Sequence, residues 1–213
     1  MYTNRHGRRW CRIVLTGSPC SGKTSAQRQL QTALERRFGG EWTVYVVHEA
    51  SSLLFSAGIV QKDLNERQTC ALYADLLRTI RQLEGVYDNI ARDESRHNVL
   101  VLCDRGALDP KAFVESALWP KVLDLAETTE QELLDRYHAV VCLPTAPREL
   151  HALTTTRRRR DSYDRAYNMQ ERFERLYQKH RNLKVLKRED CPDWDTKFEH
   201  VAAAVVECLA TQE

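Results

Sequence analysis

The residues best placed to do chemistry come early. GSPCSGKT, residues 17–24, lies between the apolar run Ile13-Val14-Leu15 and a stretch with helical periodicity. The spacing fits G-x-x-x-x-G-K-[ST] with a strand before it and a helix after it. In that context backbone amides wrap a phosphate at a helix N-terminus, where the dipole favours an anion. Gly17 and Gly22 permit the turn and a close backbone approach, and Ser18, Pro19, Cys20 and Ser21 span the loop. Lys23 sets a cation beside the β- and γ-phosphates, and Thr24, followed by Ser25, offers a hydroxyl to Mg²⁺. Pro19 has no N–H, but it precedes the donors that matter. Cys20 sits beside a lysine and a helix N-terminus, conditions that lower a thiol pKa, and is read as a bystander. A cradle of this kind holds ATP or GTP without saying whether the phosphate is transferred, hydrolysed or sensed.

Two acidic residues stand where they could decide that. In open α/β sheets ligands bind outside the carboxyl ends of the strands. Asp104 follows the apolar run VLVLC and precedes Arg105-Gly106. It is expected on the metal side with Thr24, through water, with Arg105 within reach of phosphate or acceptor. Glu49 closes VYVVHE, where a general base for an acceptor hydroxyl would stand. A surface glutamate, or the start of a helix over 50–58, is the alternative. His48 reads as a packed strand residue. Phe55, Gln68 and Tyr73 are candidates for an acceptor pocket or for ordinary helix packing.

The run RRRR, 157–160, is either a solvated basic face or part of a lid that closes over the cradle. Successive helical residues point ~100° apart, so one or two of the four reach a common ligand. Arg157, Arg158 and Arg160 are carried as candidates to neutralise charge on a moving phosphoryl group. A nucleic-acid role lacks aromatics interleaved with the basic residues, although the run itself leaves it open.

The elements that must position these groups follow from periodicity. Five apolar runs, 12–16, 43–48, 99–104, 139–143 and 183–186, alternate with helical patterns, which predicts a parallel sheet with helices on both faces. Leu30, Leu34 and Phe38 mark one amphipathic helix from Lys23. Leu72, Leu76, Ile80, Leu83, Tyr87 and Ile90 mark a long one from Leu64 to about Arg92. Asp109-Pro110 reads as an N-cap and first helical residue of a helix through Ala117. Thr128 and Gln131 read as a capping box.

The chain has 213 residues, 42% hydrophobic and 29% charged, with a net charge of +2. It suits one domain over 1–213, with 1–10 as a solvated basic tail. The balanced charge gives no reason to expect a nucleic-acid or membrane surface as the main partner, and no apolar run approaches the ~18 residues of a membrane span. Nothing singles out a protein partner. Seven cysteines without a CxxC pair point to a reducing intracellular compartment. The short basic start favours cytoplasm over mitochondria.

GSPCSGKT, HEAS and LVLCDRGALDPKAF together resemble the AAA-type domain shared by the kinase half of the NadR regulator and the TRPL translocation-defect proteins. CDRGALDPKAF is the most specific part. The resemblance implies a three-layer P-loop NTPase, nucleoside-kinase-like, with five parallel strands in the order 2-3-1-4-5 and a kinase-like lid. It implies that Gly17 to Thr24 hold nucleotide phosphates and that Asp104-Arg105 lie near metal and phosphate. It matches Glu49 to the base, and the segment from Arg157 through Gln178 to the lid and its following helix. The expectation is a small-molecule kinase moving the γ-phosphoryl of ATP or GTP to a nucleoside-like acceptor. The alternative is a nucleotide-binding switch or assembly component with slow or no turnover.

Overall fold

Leu100, Val101, Leu102 and Cys103 have no exposed surface at all, so the strand that carries them must be covered on both faces. The computed structural model describes residues 1–148 and 163–210. It places them in one sheet of β1 (Tyr2–Thr3), β2 (Arg9–Thr16), β3 (Trp42–Val47), β4 (Asn98–Asp104), β5 (Ala139–Cys142) and β6 (Leu183–Val185). The order is β3-β4-β2-β5-β6, all parallel, with β1 antiparallel to β2 off that path. For the five predicted runs this is the order 2-3-1-4-5.

Successive residues of a strand face opposite sides, and the two cores divide accordingly. Val14, Val99, Val101, Cys103 and Val140 pack on one face against α3 (Glu66–Asp93), α4 (Trp119–Leu125) and α5 (Glu130–Asp135). Ile13, Leu15, Leu100, Leu102 and Val141 pack on the other against α1 (Lys23–Arg37) and α7 (Trp194–Ala210). Between them in the chain come α2 (Ala50–Ser56) and α6 (Tyr163–Leu176). α6 buries Met169 and Phe173 against Ala112 and Cys142. Each fully buried Leu or Val contributes about 1.5–3 kcal/mol. No helix among the described residues is long and apolar enough to cross a membrane, and all seven cysteines are buried and free.

Four local expectations change. Residues 1–10 are not a bare tail: Tyr2 and Thr3 pair with Trp10 and Arg9, and the Tyr2 and Trp10 rings lie 4.7 Å apart. The helix expected over 109–117 is a 3₁₀ turn, Asp109–Phe113, because the Asp109 carboxylate is turned inward and does not cap it. The capping box before α5 uses Thr129 and Glu132, one residue later than expected. Gln68 belongs to the capping box of α3, exchanging bonds of 2.9 Å with Asn65, and is not a pocket residue.

The buried stripe of α3 also carries two carboxylates, Glu84 and Asp88. They are there because Arg12 points from β2 into the same core. Its guanidinium donates to Glu84 (3.1 Å), to Asp88 and to the Arg136 carbonyl (3.1 Å). Arg136 (2.7 Å) and the Tyr137 hydroxyl (2.7 Å) also donate to Glu84. Beside them the Arg12 N–H donates to His138 Nδ1 at 2.9 Å. Burial, aided by the positive N-terminus, holds the imidazole pKa down to about 3.

Removing one member of a buried charge cluster leaves its partners uncompensated. Glu84→Gln is therefore expected to lower the unfolding free energy by about 3–5 kcal/mol in urea titrations, and a loss below about 1 kcal/mol would mean the cluster is well solvated. An unfolded histidine takes its proton near 6.5, whereas His138 resists until about 3. Its stabilising effect is thus complete above that upper value and is lost as the pH falls. His138→Asn, which keeps an acceptor for the Arg12 N–H, should remove close to one proton from the pH dependence of the urea midpoint between about pH 6 and 4. An unchanged slope would show that the ring titrates freely.

Candidate functional site

The loop after β2 turns into α1 at Gly22, the N-cap, with a φ of 92°. A Cβ there would lie 2.5 Å from Cζ3 of Trp194, whose ring closes that side of the loop. Only glycine serves both needs. The first intrahelical bond runs from the Ala26 N–H to the Gly22 carbonyl, 2.8 Å, so the amides of the preceding turn have no intrahelical partner and are available to an anion. Lys23 is buried and folded back on the loop. Its ammonium donates to the carbonyls of Gly17 (3.1 Å) and Ser18 (2.8 Å) and to Ser21 Oγ (3.0 Å). Burial, with Arg105 nearby, pulls its pKa to about 7 against the carboxylates Asp104, Glu49 and Asp109.

A cavity of about 310 Å³ opens above this loop. Pro19, Cys20, Ser21, Gly22, Lys23 and Thr24 form its floor. Gly17 and Ser18 lie beneath, Ser18 bonded to the Thr145 hydroxyl at 2.8 Å, and Ser25 is exposed on α1 outside it. Cys20 is buried with a φ of 58°, a left-handed conformation unusual for a residue with a side chain.

β4 and β3 end at the cavity, and they bring in Asp104 and Glu49. Thr24 Oγ1 donates to Asp104 Oδ2 at 2.5 Å, so the two residues expected at a metal are side by side. Two hard oxygens next to a phosphate cradle fit Mg²⁺, which takes few protein ligands and completes its shell with phosphate and water. The described residues contain no cluster of three or more acidic, histidine or cysteine side chains that would make an all-protein cage.

Across the cavity, Glu49 accepts from Ser51 Oγ (2.7 Å), Ser52 Oγ (2.7 Å) and Arg105 Nε (2.6 Å). Burial alone would raise its pKa, but the guanidinium and the two hydroxyls outweigh it and bring the value to about 2. Arg105, at φ 73°, also donates to the Gly17 carbonyl (3.3 Å) and to Asp109 (3.4 Å). Burial opposes its charge, yet Glu49, Asp109 and Asp104 together push its pKa above the ordinary value.

Asp109 is the site residue that sequence reasoning missed. Asp before Pro reads as a helix cap, but the carboxylate is 1% exposed. It accepts from Thr16 Oγ1 (2.8 Å) and from the Tyr177 hydroxyl (2.9 Å). Burial raises its pKa, against Arg105 and these hydroxyls. The available signal was the bracket Asp104-Arg105…Asp109, two acids around one arginine. His48, expected to pack in the core, is exposed at the cavity rim. Phe55 and Tyr73 line the cavity with Leu76, Ile80, Leu83 and Phe113. Arg157, Arg158 and Arg160 lie outside the described residues. Arg165, at the start of α6, does line the cavity.

Among solved structures, the chain is similar to the NadR protein in complex with NR. The likeness has a TM-score of 0.60 at 14% identity, over 96% of this chain and 50% of that one, so the chain spans about half the NadR length. Thymidylate kinase from Ehrlichia chaffeensis gives a TM-score of 0.56 at 16% identity, over 94% of this chain and 99% of that one. Both show a kinase-like P-loop fold. No curated protein matches the sequence. The family model described as an AAA domain matches residues 12–192, and the chain belongs to that family of P-loop NTPases.

Proposed function

We propose that the chain is a Mg²⁺-dependent phosphotransferase that moves the γ-phosphoryl of ATP or GTP to a hydroxyl of a small, nucleoside-like acceptor. The observation that carries this reading is the cavity itself. It joins the phosphate loop to Glu49 and Arg105 and then continues to a wall of Phe55, Tyr73, Leu76, Ile80, Leu83 and Phe113. A hydrolase needs room for one water. The apolar wall of this space would suit an acceptor with a flat apolar body. One structural neighbour is a kinase by name, and the other was solved with NR bound.

In this mechanism the loop amides and Lys23 hold the β- and γ-phosphates. Thr24 and Asp104 would hold Mg²⁺, which would supply positive charge to offset that of the phosphates. Arg105 faces the transferring group from the acceptor side. Glu49 accepts the hydrogen bond of the attacking hydroxyl and orients it. A carboxylate with a pKa of about 2 is a weak base, which suits a loose transition state in which the nucleophile keeps its proton until late. Positioning and charge stabilisation then supply most of the rate.

Phosphoryl transfer from γ-labelled ATP and GTP to a panel of nucleosides tests this. Lys23→Ala should abolish transfer and weaken nucleotide binding. Glu49→Gln should retain nucleotide affinity and lose roughly 10²-fold or more in transfer rate. Unchanged transfer in Glu49→Gln would sink the mechanism. A wild-type protein that binds nucleotide and transfers to nothing would instead be a nucleotide-binding switch. Asp104→Asn is expected to raise the Mg²⁺ concentration for half-maximal turnover by about 10-fold or more, and an unshifted requirement would remove Asp104 from the metal side.

A further inference from the structure

The turn from Asp104 to Asp109 hangs on two buried tyrosine hydroxyls that the proposed reaction does not touch. Tyr137 accepts from the Ala107 N–H (2.6 Å) and donates to Glu84 (2.7 Å). Tyr177 accepts from the Leu108 N–H (3.3 Å) and donates to Asp109 Oδ1 (2.9 Å). Room for the second hydroxyl exists because residue 106 is glycine, since a Cβ there would sit 2.3 Å from the Tyr177 oxygen. Asp109 in turn takes the Arg105 guanidinium on its other oxygen. That guanidinium also lies over two rings, Phe113 at 5.5 Å and Phe173 at 5.3 Å. Phe173 lies in α6 and Tyr177 directly follows it, four residues apart and so on one helical face.

We propose that α6 positions Arg105 for the reaction. Phe173 acts directly, through its ring face, and Tyr177 acts through Asp109, so both are positioning residues and not catalytic ones.

Four physical features support this. Arg105 sits in a left-handed backbone conformation that the turn would leave if it were not held. Its side chain has five donors and several acceptors around it, so the fork has more than one geometry to choose from. Which one it adopts depends on where Asp109 points. A hydroxyl donating to a buried carboxylate makes a charge-assisted bond in a low-dielectric setting, among the stronger side-chain bonds available. The ring of Phe173 adds a second constraint, because a cation over an aromatic face loses attraction when it slides off. Neither residue itself lines the cavity, which distinguishes them from Phe113.

The kinetic consequence rests on the phosphoryl-transfer reading, but the positioning itself does not. In the ¹⁵N-labelled full chain, the Arg105 Nε–H resonance, identified by its loss in Arg105→Lys, reports the bond to Glu49. Tyr177→Phe removes one oxygen and keeps the ring. It should shift or broaden that resonance more than does Tyr137→Phe, which loosens the same turn without touching Asp109. Phe173→Leu should shift it as well, by loss of the ring above the guanidinium. With an acceptor in hand, Tyr177→Phe should lower kcat about tenfold with the nucleotide KM unchanged. An unmoved Arg105 resonance in folded Tyr177→Phe overturns the proposal whatever the turnover. If Tyr177→Phe does not fold, an unmoved resonance in Phe173→Leu overturns it. A wild-type protein without transfer would end the phosphotransferase reading and still leave the resonance to decide the positioning.

Discussion

Arg105 keeps its charge in a place where burial works against it, and everything around the cavity follows from how that charge is held. Three carboxylates, Glu49, Asp104 and Asp109, face two cations, Lys23 and Arg105. A bare triphosphate brought among these carboxylates would add negative charge beside negative charge, with Arg165 as a further cation on the cavity wall. A triphosphate carrying a divalent cation would add much less negative charge. The same balance is seen in the arrangement of the side chains, in which Lys23 turns to loop carbonyls and Arg105 to Glu49. Each cation occupies an acceptor that phosphate oxygens would replace, so on the proposed reading nucleotide entry exchanges the acceptors of Lys23 and Arg105.

What was legible in the sequence was whatever depends on local pattern. The strand runs, the sheet order carried by the family resemblance, the loop, and the placement of Asp104 and Glu49 at strand ends all appear in the structure. Periodicity reports one face of an element at a time, and it does so well where that face is apolar. It fails at Glu84 and Asp88, which occupy the buried stripe of α3 because a strand residue 72 or more positions away neutralises them. It fails for the same reason at Asp109. A dipeptide rule assigns Asp-Pro to a cap, but Arg105 and Tyr177 compete for that carboxylate and win. Partners distant in sequence override local preference wherever a polar group is buried, since a buried group without a partner costs more than a lost cap.

The two buried polar groups are joined. Glu84 takes Arg12 and Arg136 on one side and the Tyr137 hydroxyl on the other, and Tyr137 reaches the backbone of the Asp104–Asp109 turn. Tyr137 and Tyr177 meet edge to face at 6.5 Å beneath that turn. The charge set at the centre of the sheet therefore supports the site mechanically, through a bond to an amide. Its hold on the turn is a bond to the backbone and not an ion pair with Arg105, although Glu84 also borders the cavity.

That separation bears on which parts of such a site can vary. An acceptor pocket made of apolar side chains changes shape at a cost set by packing, about 1–3 kcal/mol for an altered methylene or two. A turn that holds a left-handed arginine between two carboxylates has no such tolerance, because moving any one partner leaves a charge or a hydroxyl unmatched in a low-dielectric interior. On the proposed reading, acceptor specificity rests on side chains of α2 and α3, whereas the turn, the two tyrosines and Gly106 form one unit. The division matches the geometry: the residues that would read the acceptor are single side chains on helices, and those that would hold the phosphoryl group are tied to one another.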